Sequence, residues 1–115
     1  MAGTFTSKSL ANAELPTVNG TIYTVPALTT ARVTEIILCN CAGATRTVTL
    51  HFVESGDSAD TGAGAGVNAF MEAFTLTAGV PFILPMNTFL DAGDTIQGLA
   101  SGADVFIHVS GVEES

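Results

Sequence analysis

Residues 32–54, RVTEIILCNCAGATRTVTLHFVE, decide the fold class. Apolar side chains alternate with other residues on both sides of a short, small-residue segment that contains one glycine. The in-phase apolar residues are Ile36 and Leu38 before this segment and Val48, Leu50 and Phe52 after it. A period of two residues is typical of half-buried strands. The stretch therefore predicts a β-hairpin with one buried face and one solvent-exposed face.

The face of this hairpin that should meet solvent is too apolar for an ordinary wet surface, because it carries Ile37, Cys39 and Val53. Apolar groups out of register with a core indicate a surface that another molecule covers. The apolar residues in this wrong phase along the whole chain are Ile37, Val53, Met71, Ile83 and Phe106. From the hairpin face and this wider set we predict four self-association or shell-contact residues: Ile37, Cys39, Val53 and Phe106.

The rest of the chain consists of short extended segments separated by turn residues, and it shows no helical period. Pro81 and Pro85 flank a segment that is predicted to be an edge strand or an irregular one. Short strands at regular spacing are typical of two-layer β proteins. The sequence therefore predicts an all-β fold: a single antiparallel β-sandwich, immunoglobulin-like or jelly-roll, of about seven or eight strands.

The first twenty residues differ from the remainder. Residues 1–20 have no sustained period and few large apolar side chains, as in termini that are ordered only against a neighbour. A chain of 115 residues is long enough for one domain with a two-layer core. We therefore predict an N-terminal arm at 1–20 and a β-sandwich domain at 21–115.

The charge of the chain is low and one-sided. Three Lys and Arg residues stand against eleven Asp and Glu residues, which gives a net charge of -8. Nucleic acids and anionic membranes attract clustered cations, so we predict neither as a partner. Charged residues make up 12% of the chain, about half the usual share, which favours a surface that is covered in an assembly.

The sequence predicts no passage through a membrane. Its apolar runs have the length of strands and are shorter than a membrane-spanning helix requires. The N-terminal residues lack the basic region and apolar core of a signal peptide. We therefore expect the chain to be made in a cytoplasm.

Two cysteines form a C-x-C pair at the end of the first hairpin strand. Residues i and i+2 of a strand point to the same face, so Cys39 and Cys41 are not expected to reach disulfide geometry. A zinc site would need two more ligands, and the only histidines are His51 and His108. We predict free thiols and no metal or cofactor, with an inter-subunit bridge or a metal site as alternatives.

The polar residues form no catalytic set. Both histidines fall out of phase with the apolar residues of their strands and are predicted to lie on an outer face. Asp104, His108 and Ser110 share one face of one strand, but they are too far apart along it to pass a proton. We therefore predict that the protein is not an enzyme.

The long segment 54–68 is rich in Gly, Ala, Ser and Asp and is predicted to be a mobile surface loop. It lacks the G-K-[ST] ending of a phosphate-binding loop. Asp57 and Asp60 leave a calcium site as an alternative, although the ordered ligand spacing of known calcium loops is missing. Loops of this kind often contact partners.

Five segments carry a resemblance: YTVP at 23–26, TARVTEIILCN at 30–40, TVTL at 47–50, LDAGDTI at 90–96 and the closing strand at 105–112. In these strand and turn patterns the chain resembles small proteins encoded among the structural genes of tailed bacteriophages and prophages. The resemblance spans residues 21–113.

This resemblance implies a virion component, made in the host cytoplasm. The favoured form is a capsid decoration (cement) protein that self-associates, with a homotrimer as the favoured state. It would bind the major capsid protein, or another virion protein, at the capsid surface. The protein would then act by burying surface area against the capsid and by binding through several copies, and it would catalyse no reaction. The alternative is a receptor- or glycan-binding β-sandwich module, or a neck or tail accessory protein, of a phage virion.

Overall fold

The computed structural model describes residues 4–56 and 68–115. In these ranges the chain is built of strands, and no helix there is long and apolar enough to cross a membrane. The eight strands are β1 Phe5–Glu14, β2 Gly20–Thr24, β3 Thr30–Asn40, β4 Arg46–Val53, β5 Ala69–Leu76, β6 Phe82–Leu90, β7 Thr95–Ala100 and β8 Val105–Glu114. The prediction of an all-β fold is confirmed.

The strands form two four-stranded antiparallel sheets. Sheet A has the strand order β1-β8-β3-β6, and sheet B has the order β2-β7-β4-β5. Consecutive strands alternate between the sheets, except for β4 and β5, which are neighbours in sheet B. This order is that of a jelly roll, one of the two predicted sandwich types.

The core lies between the two sheets and draws on both of them. Its fully buried members in sheet A are Ala31, Val33, Ile36, Leu38, Val105, Ile107 and Val109, and those in sheet B are Val48, Leu50, Ile96 and Ala100. Burying a large aliphatic side chain contributes roughly 1.5–3 kcal/mol relative to leaving it exposed. This set is therefore the main source of stability.

The hairpin predicted at 32–54 is wrong, although both of its strands exist. β3 belongs to sheet A and β4 to sheet B, so the segment between them is a corner that crosses from sheet to sheet. Asn40, the last residue of β3, is fully buried and holds this corner. Its Nδ2 donates to the carbonyl oxygens of Ala44 and Leu76, each at 3.0 Å, and its Oδ1 accepts from the Ala42 N–H at 3.0 Å.

The N-terminal segment predicted as an arm is a strand of the sandwich. β1 pairs with β8 from Phe5 to Glu14, with a register shift between Ser9 and Ala11. Leu15, which follows it, is buried in the core. Most side chains of β1 are exposed because it is the edge strand of sheet A, so no apolar alternation marks it in the sequence. The sandwich therefore begins near residue 5 and not at 21.

The end of β4 departs from the alternation that assigned its faces. Its pairing with β5 shifts register between Val48 and Leu50 and again between Leu50 and His51. His51 is 1% exposed and Val53 is 2% exposed. Assigning faces by a two-residue period requires regular pairing between strands. The register shifts break that regularity, so residues after them can change face. The placement of His51 and Val53 on a solvent-facing surface is therefore wrong.

Candidate functional site

Cross-strand pairs in sheet A gather three of the four predicted contact residues on one surface. Directly opposed residues of an antiparallel pair point to the same face. Ile37 on β3 lies opposite His108 on β8 and Ile83 on β6, and Cys39 lies opposite Phe106. Their neighbours along β3 and β8 are buried, so these side chains point outward. The apolar and basic residues of this surface, the outer A face, are Phe5, Arg32, Ile37, Cys39, Ile83, Phe89, Phe106, His108 and Val112. Polar residues that share the face include Ser7, Asn12, Glu14, Glu35 and Glu114.

Exposed apolar side chains are concentrated on the outer A face. Arg32 lies opposite Phe89 and Val112 in the next part of the sheet. Phe5 is 71% exposed, Phe89 is 66% exposed and Ile83 is 55% exposed. These are three of the six large hydrophobic side chains that are exposed among the described residues. The other three lie outside the strands, so no second sheet face carries a comparable group in the described part of the chain.

A shallow cavity of about 160 Å³ lies at one end of the outer A face. Its lining residues are Phe5, Thr30, Ala31, Arg32, Phe89, Val112 and Glu114. Within residues 4–56 and 68–115 the one ion pair joins Lys8 to Glu113, so no described carboxylate pairs with Arg32. An arginine among aromatic and aliphatic side chains is typical of an interface hot spot.

Val53 is the predicted contact residue that the structure does not bring to this surface. It lies at the end of β4 in sheet B and is buried, so that prediction is corrected. Phe5 and Phe89 are surface residues that sequence reasoning missed. Phe89 had a usable signal, because it lies six residues after Ile83 in the same strand and therefore shares the phase of a residue already placed outside the core. β6 is an edge strand of sheet A, as its prolines predict.

The two cysteines lie at the other end of β3 from the cavity. Cys39 is half-buried on the strand, whereas Cys41 lies just beyond it and is exposed. Their Sγ atoms are 3.5 Å apart. This separation is not disulfide geometry, and both cysteines are free thiols, but the sulfurs lie near each other because Cys41 has left the strand at the corner. The hydrogen bond with Cys39 raises the pKa of Cys41 above its usual value, and the charge of Asp104 adds to the rise.

A hydrogen-bonded group joins the two sheets next to β1. The hydroxyl of Tyr23 on β2 donates to Glu113 Oε2 at 2.5 Å, and Lys8 Nζ lies 3.2 Å from Glu113 Oε1. Burial raises the pKa of Tyr23, and the hydrogen bond to Glu113 adds to the rise. The same hydrogen bond lowers the pKa of Glu113, and Lys8 lowers it further. The group therefore fixes a carboxylate between β1, β2 and β8.

The polar residues considered for metal or catalytic chemistry do not come together. Asp57 and Asp60 lie outside the described residues. Among those that are described, no three His, Cys, Asp or Glu side chains are placed to hold a metal ion. His51 Nδ1 lies 3.0 Å from Asn68 Oδ1 at the end of sheet B, whereas His108 is exposed on sheet A. The two histidines therefore belong to different sheets.

The fold is similar to that of a solved pilus protein. A protein of Bacillus endospore appendages, which form disulfide-linked pili, matches with a TM-score of 0.53 and 16% identity. The match covers 96% of this chain and 88% of that chain. At this identity the likeness shows a shared fold. No protein-family model matches the chain, and no curated protein matches it.

Viral capsid proteins give weaker matches. VP2 of infectious bursal disease virus, in a subviral particle, matches with a TM-score of 0.46 and 13% identity over 97% of this chain and 32% of VP2. This chain thus spans about a third of the length of VP2. A pentameric capsid protein from metagenomic phage sequences matches with a TM-score of 0.36 and 17% identity, over 91% of this chain and 59% of that chain.

Proposed function

We propose that this protein is a structural subunit that associates with further copies of itself through the outer A face. The observation that carries the proposal is the exposure of Phe5, Ile83 and Phe89, each more than half exposed, on one face of one sheet. Exposed apolar side chains gathered on one face indicate an interaction site, because soluble monomers rarely leave large apolar patches uncovered. Ile37 and Phe106 extend the patch along β3 and β8.

The size of the outer A face supports a stable contact. Four strands spaced about 4.8 Å apart and about ten residues long give a face of roughly 20 Å by 33 Å. A standard interface buries about 800 Å² of accessible surface on each partner. The outer A face therefore has about the area that one such contact requires.

The net charge of the chain opposes contact between two copies, but Arg32 gives the outer A face one group that a second copy can pair with. Arg32 is one of three cations in a chain with eleven acidic residues. Two chains of net charge -8 repel each other over most of their surfaces, so contact is favoured where apolar burial is greatest and a cation is available. An acidic side chain of a second copy would supply the partner that Arg32 lacks among the described residues.

In its finer form the proposal is a capsid decoration protein of a tailed bacteriophage, a homotrimer that binds the major capsid protein at the capsid surface. Two observations support this form: the strand and turn segments that resemble phage structural proteins, and a jelly roll, which viral capsid domains also use. The appendage protein with the same fold assembles into pili, so this fold is compatible with repeated contacts between subunits.

The mass of the full chain in solution tests the proposal. We expect sedimentation equilibrium at micromolar concentrations to show reversible association. Three copies in the largest species would support the homotrimer, in which each subunit needs a second contact patch besides the outer A face, and a dimer as the largest species would contradict the homotrimer alone. Arg32→Gln should raise the dissociation constant about tenfold or more. Arg46→Gln is the matched control, because Nε of Arg46 donates to the Ala103 carbonyl oxygen at 3.3 Å at the corner end of the sandwich. This control should leave association unchanged.

Two further results would count against the proposal. A wild-type chain that stays monomeric over the whole concentration range contradicts self-association. A chain that self-associates but does not sediment with purified phage heads contradicts the decoration role alone.

A further inference from the structure

The sulfur atoms of Cys39 and Cys41 are close enough to bond after a small movement. They lie 3.5 Å apart. A disulfide bond is about 2.05 Å long, so a shift of about 1.5 Å brings the two sulfurs together. Cys41 is exposed and Cys39 half-buried, so Cys41 is the thiol that is more open to an oxidant in solution.

The backbone between the two sulfurs is held from several sides. Asn40 is fully buried, and its side chain is fixed by the corner hydrogen bonds described above. The Gly79 N–H donates to the Asn40 carbonyl oxygen, and the Cys41 N–H donates to the Asp104 carbonyl oxygen, each at 2.8 Å. Because this backbone is anchored, the sulfurs stay near each other, and closure requires rotation of the exposed Cys41 side chain.

We propose that Cys39 and Cys41 are a redox-active dithiol that closes into an intrachain disulfide by exchange with a low-molecular-weight disulfide such as oxidised glutathione. The proposal rests on the sulfur geometry and does not depend on the proposed function. A second copy is the competing partner for either thiol. The neighbouring sulfur has the advantage, because its effective concentration at 3.5 Å exceeds that of any free chain at micromolar concentration.

The reaction proceeds in two exchange steps. The exposed Cys41 thiol, once deprotonated, attacks one sulfur of the oxidant, which forms a mixed disulfide on Cys41 and releases one small thiolate. Because the pKa of Cys41 is raised, its thiolate is a minor form at neutral pH and this step should be faster in alkaline solution. The Cys39 thiolate then attacks Sγ of Cys41, forms the Cys39–Cys41 bond and expels the second small thiolate. The two protein thiols lose two electrons and two protons in total. The oxidant takes up both electrons, and the released thiolates take up the protons.

The corner gives this disulfide a structural consequence. The bond closes a small ring around Asn40, the residue that holds the crossing from sheet A to sheet B. Exposed or strained disulfides are the more easily reduced ones, and regulatory bonds belong to that class. We therefore expect a bond that forms under oxidising conditions and reopens in excess reduced glutathione.

Thiol trapping on the full chain tests the proposal. The chain is incubated with oxidised glutathione, quenched with N-ethylmaleimide in denaturant and measured by intact mass spectrometry. The wild type should lose the mass of two hydrogen atoms and carry no adduct, and it should take up two maleimides after reduction. Cys39→Ser should stop at one glutathione adduct on Cys41. About tenfold dilution of the wild type should not change the closed fraction, because closure occurs within one chain.

Three outcomes would overturn it. Disulfide-linked dimers on a non-reducing gel, with a yield that falls on dilution, would show that the cysteines bridge chains. Two glutathione adducts on one wild-type chain would show that the sulfurs do not meet. Two maleimides on the oxidant-treated wild type, added without any reduction step, would show that the pair is not redox-active.

Discussion

Ile37 on β3 and Ile83 on β6 lie directly opposite each other, and both side chains point away from the core. β-branched residues opposed across an antiparallel pair pack against each other and stabilise the sheet. Ile83 nevertheless stays 55% exposed, so part of its apolar surface remains in water. Cover by a second molecule would remove that area from solvent.

Ile83→Asp should weaken self-association while leaving the chain folded. A carboxylate without a partner, buried in a contact, costs several kcal/mol, which corresponds to at least about a hundredfold rise in the dissociation constant. The free chain should lose less than about 1 kcal/mol of unfolding free energy, because the residue is more than half exposed. Sedimentation equilibrium measures the first effect, and urea unfolding measures the second.

Val80→Asp is the matched control for this variant. Val80 is 53% exposed, lies just before β6 and is not part of the outer A face. The Val80→Asp substitution adds the same negative charge as Ile83→Asp and should leave self-association unchanged. Equal weakening in both variants would mean that negative charge alone is responsible. Unchanged association in both would show that the outer A face is not the contact.

The strands were predictable from the sequence, whereas their partners were not. Alternation around Ile36 and Val48 predicted β3 and β4 because each strand buries one face. A period of two residues says which face is buried, but it does not say which strand lies alongside. The corner depends on a hydrogen bond from Asn40 to Leu76, 36 residues away, and such a contact leaves no mark in a local pattern.

Residues of the outer A face were predictable only in strands whose buried residues alternate regularly. In such strands an apolar residue outside the alternation is easy to recognise. Ile37 and Phe106 stand out because the residues beside them are consistently apolar and buried. Val53 could not be placed, because register shifts in the β4–β5 pairing disturb the alternation that precedes it. Phe5 could not be placed either, because most β1 side chains are exposed and the strand gives no apolar period.

Tyr23→Phe should lower stability near neutral pH and reduce the sensitivity to acid. The variant loses a hydrogen bond to a charged acceptor, which contributes about 1.5–3 kcal/mol. The pKa of Glu113 is lowered from its usual 4.5 in the folded state. Its carboxylate therefore stabilises the fold above that unfolded value, and this contribution is lost as pH falls through the folded-state pKa. The gap between wild type and variant should be full at neutral pH and shrink in acid.

Urea unfolding at about pH 7 and about pH 3 measures this gap above and below the unfolded-state pKa of 4.5. Lys8→Met is the control, because it removes the other partner of Glu113. Lys8 is 45% exposed, so its ion pair should contribute less than about 1 kcal/mol. A gap of the same size at both pH values would show that the Tyr23 hydroxyl does not act through the ionised carboxylate.

Asn40→Ala should lower the unfolding free energy by about 3 kcal/mol or more. The side chain is fully buried, and its removal leaves the Ala44 and Leu76 carbonyl oxygens and the Ala42 N–H without that partner. Each buried polar group without a partner costs about 1–3 kcal/mol. Urea unfolding measures the loss, with the exposed Asn12→Ala expected within about 0.5 kcal/mol of wild type. Similar small losses in both variants would mean that the corner does not depend on Asn40.

Gly111→Ala should be strongly destabilising, because β3 and β8 approach each other too closely at this residue for a side chain. Gly111 pairs with Val33, and an added Cβ would overlap the carbonyl oxygen of Arg32 and lie 2.8 Å from Leu10 Cδ1. Leu10 can rotate away, but the carbonyl oxygen belongs to the β3 backbone and can move only if the ladder moves. Overpacking of this kind costs about 1–3 kcal/mol, and displacement of backbone places the cost at the upper end.

Gly43→Ala is the matched control, because nothing lies within 4 Å of a Cβ added at that residue of the corner. Its unfolding free energy should stay within about 1 kcal/mol of wild type, with a gain if the backbone suits alanine. Thermal unfolding should show a fall of about 4 °C per kcal/mol lost for Gly111→Ala and little change for Gly43→Ala. Equal melting temperatures for the two variants would mean that β3 and β8 can separate at Gly111 without cost. The close pairing that sets the register of the outer A face would then not be rigid.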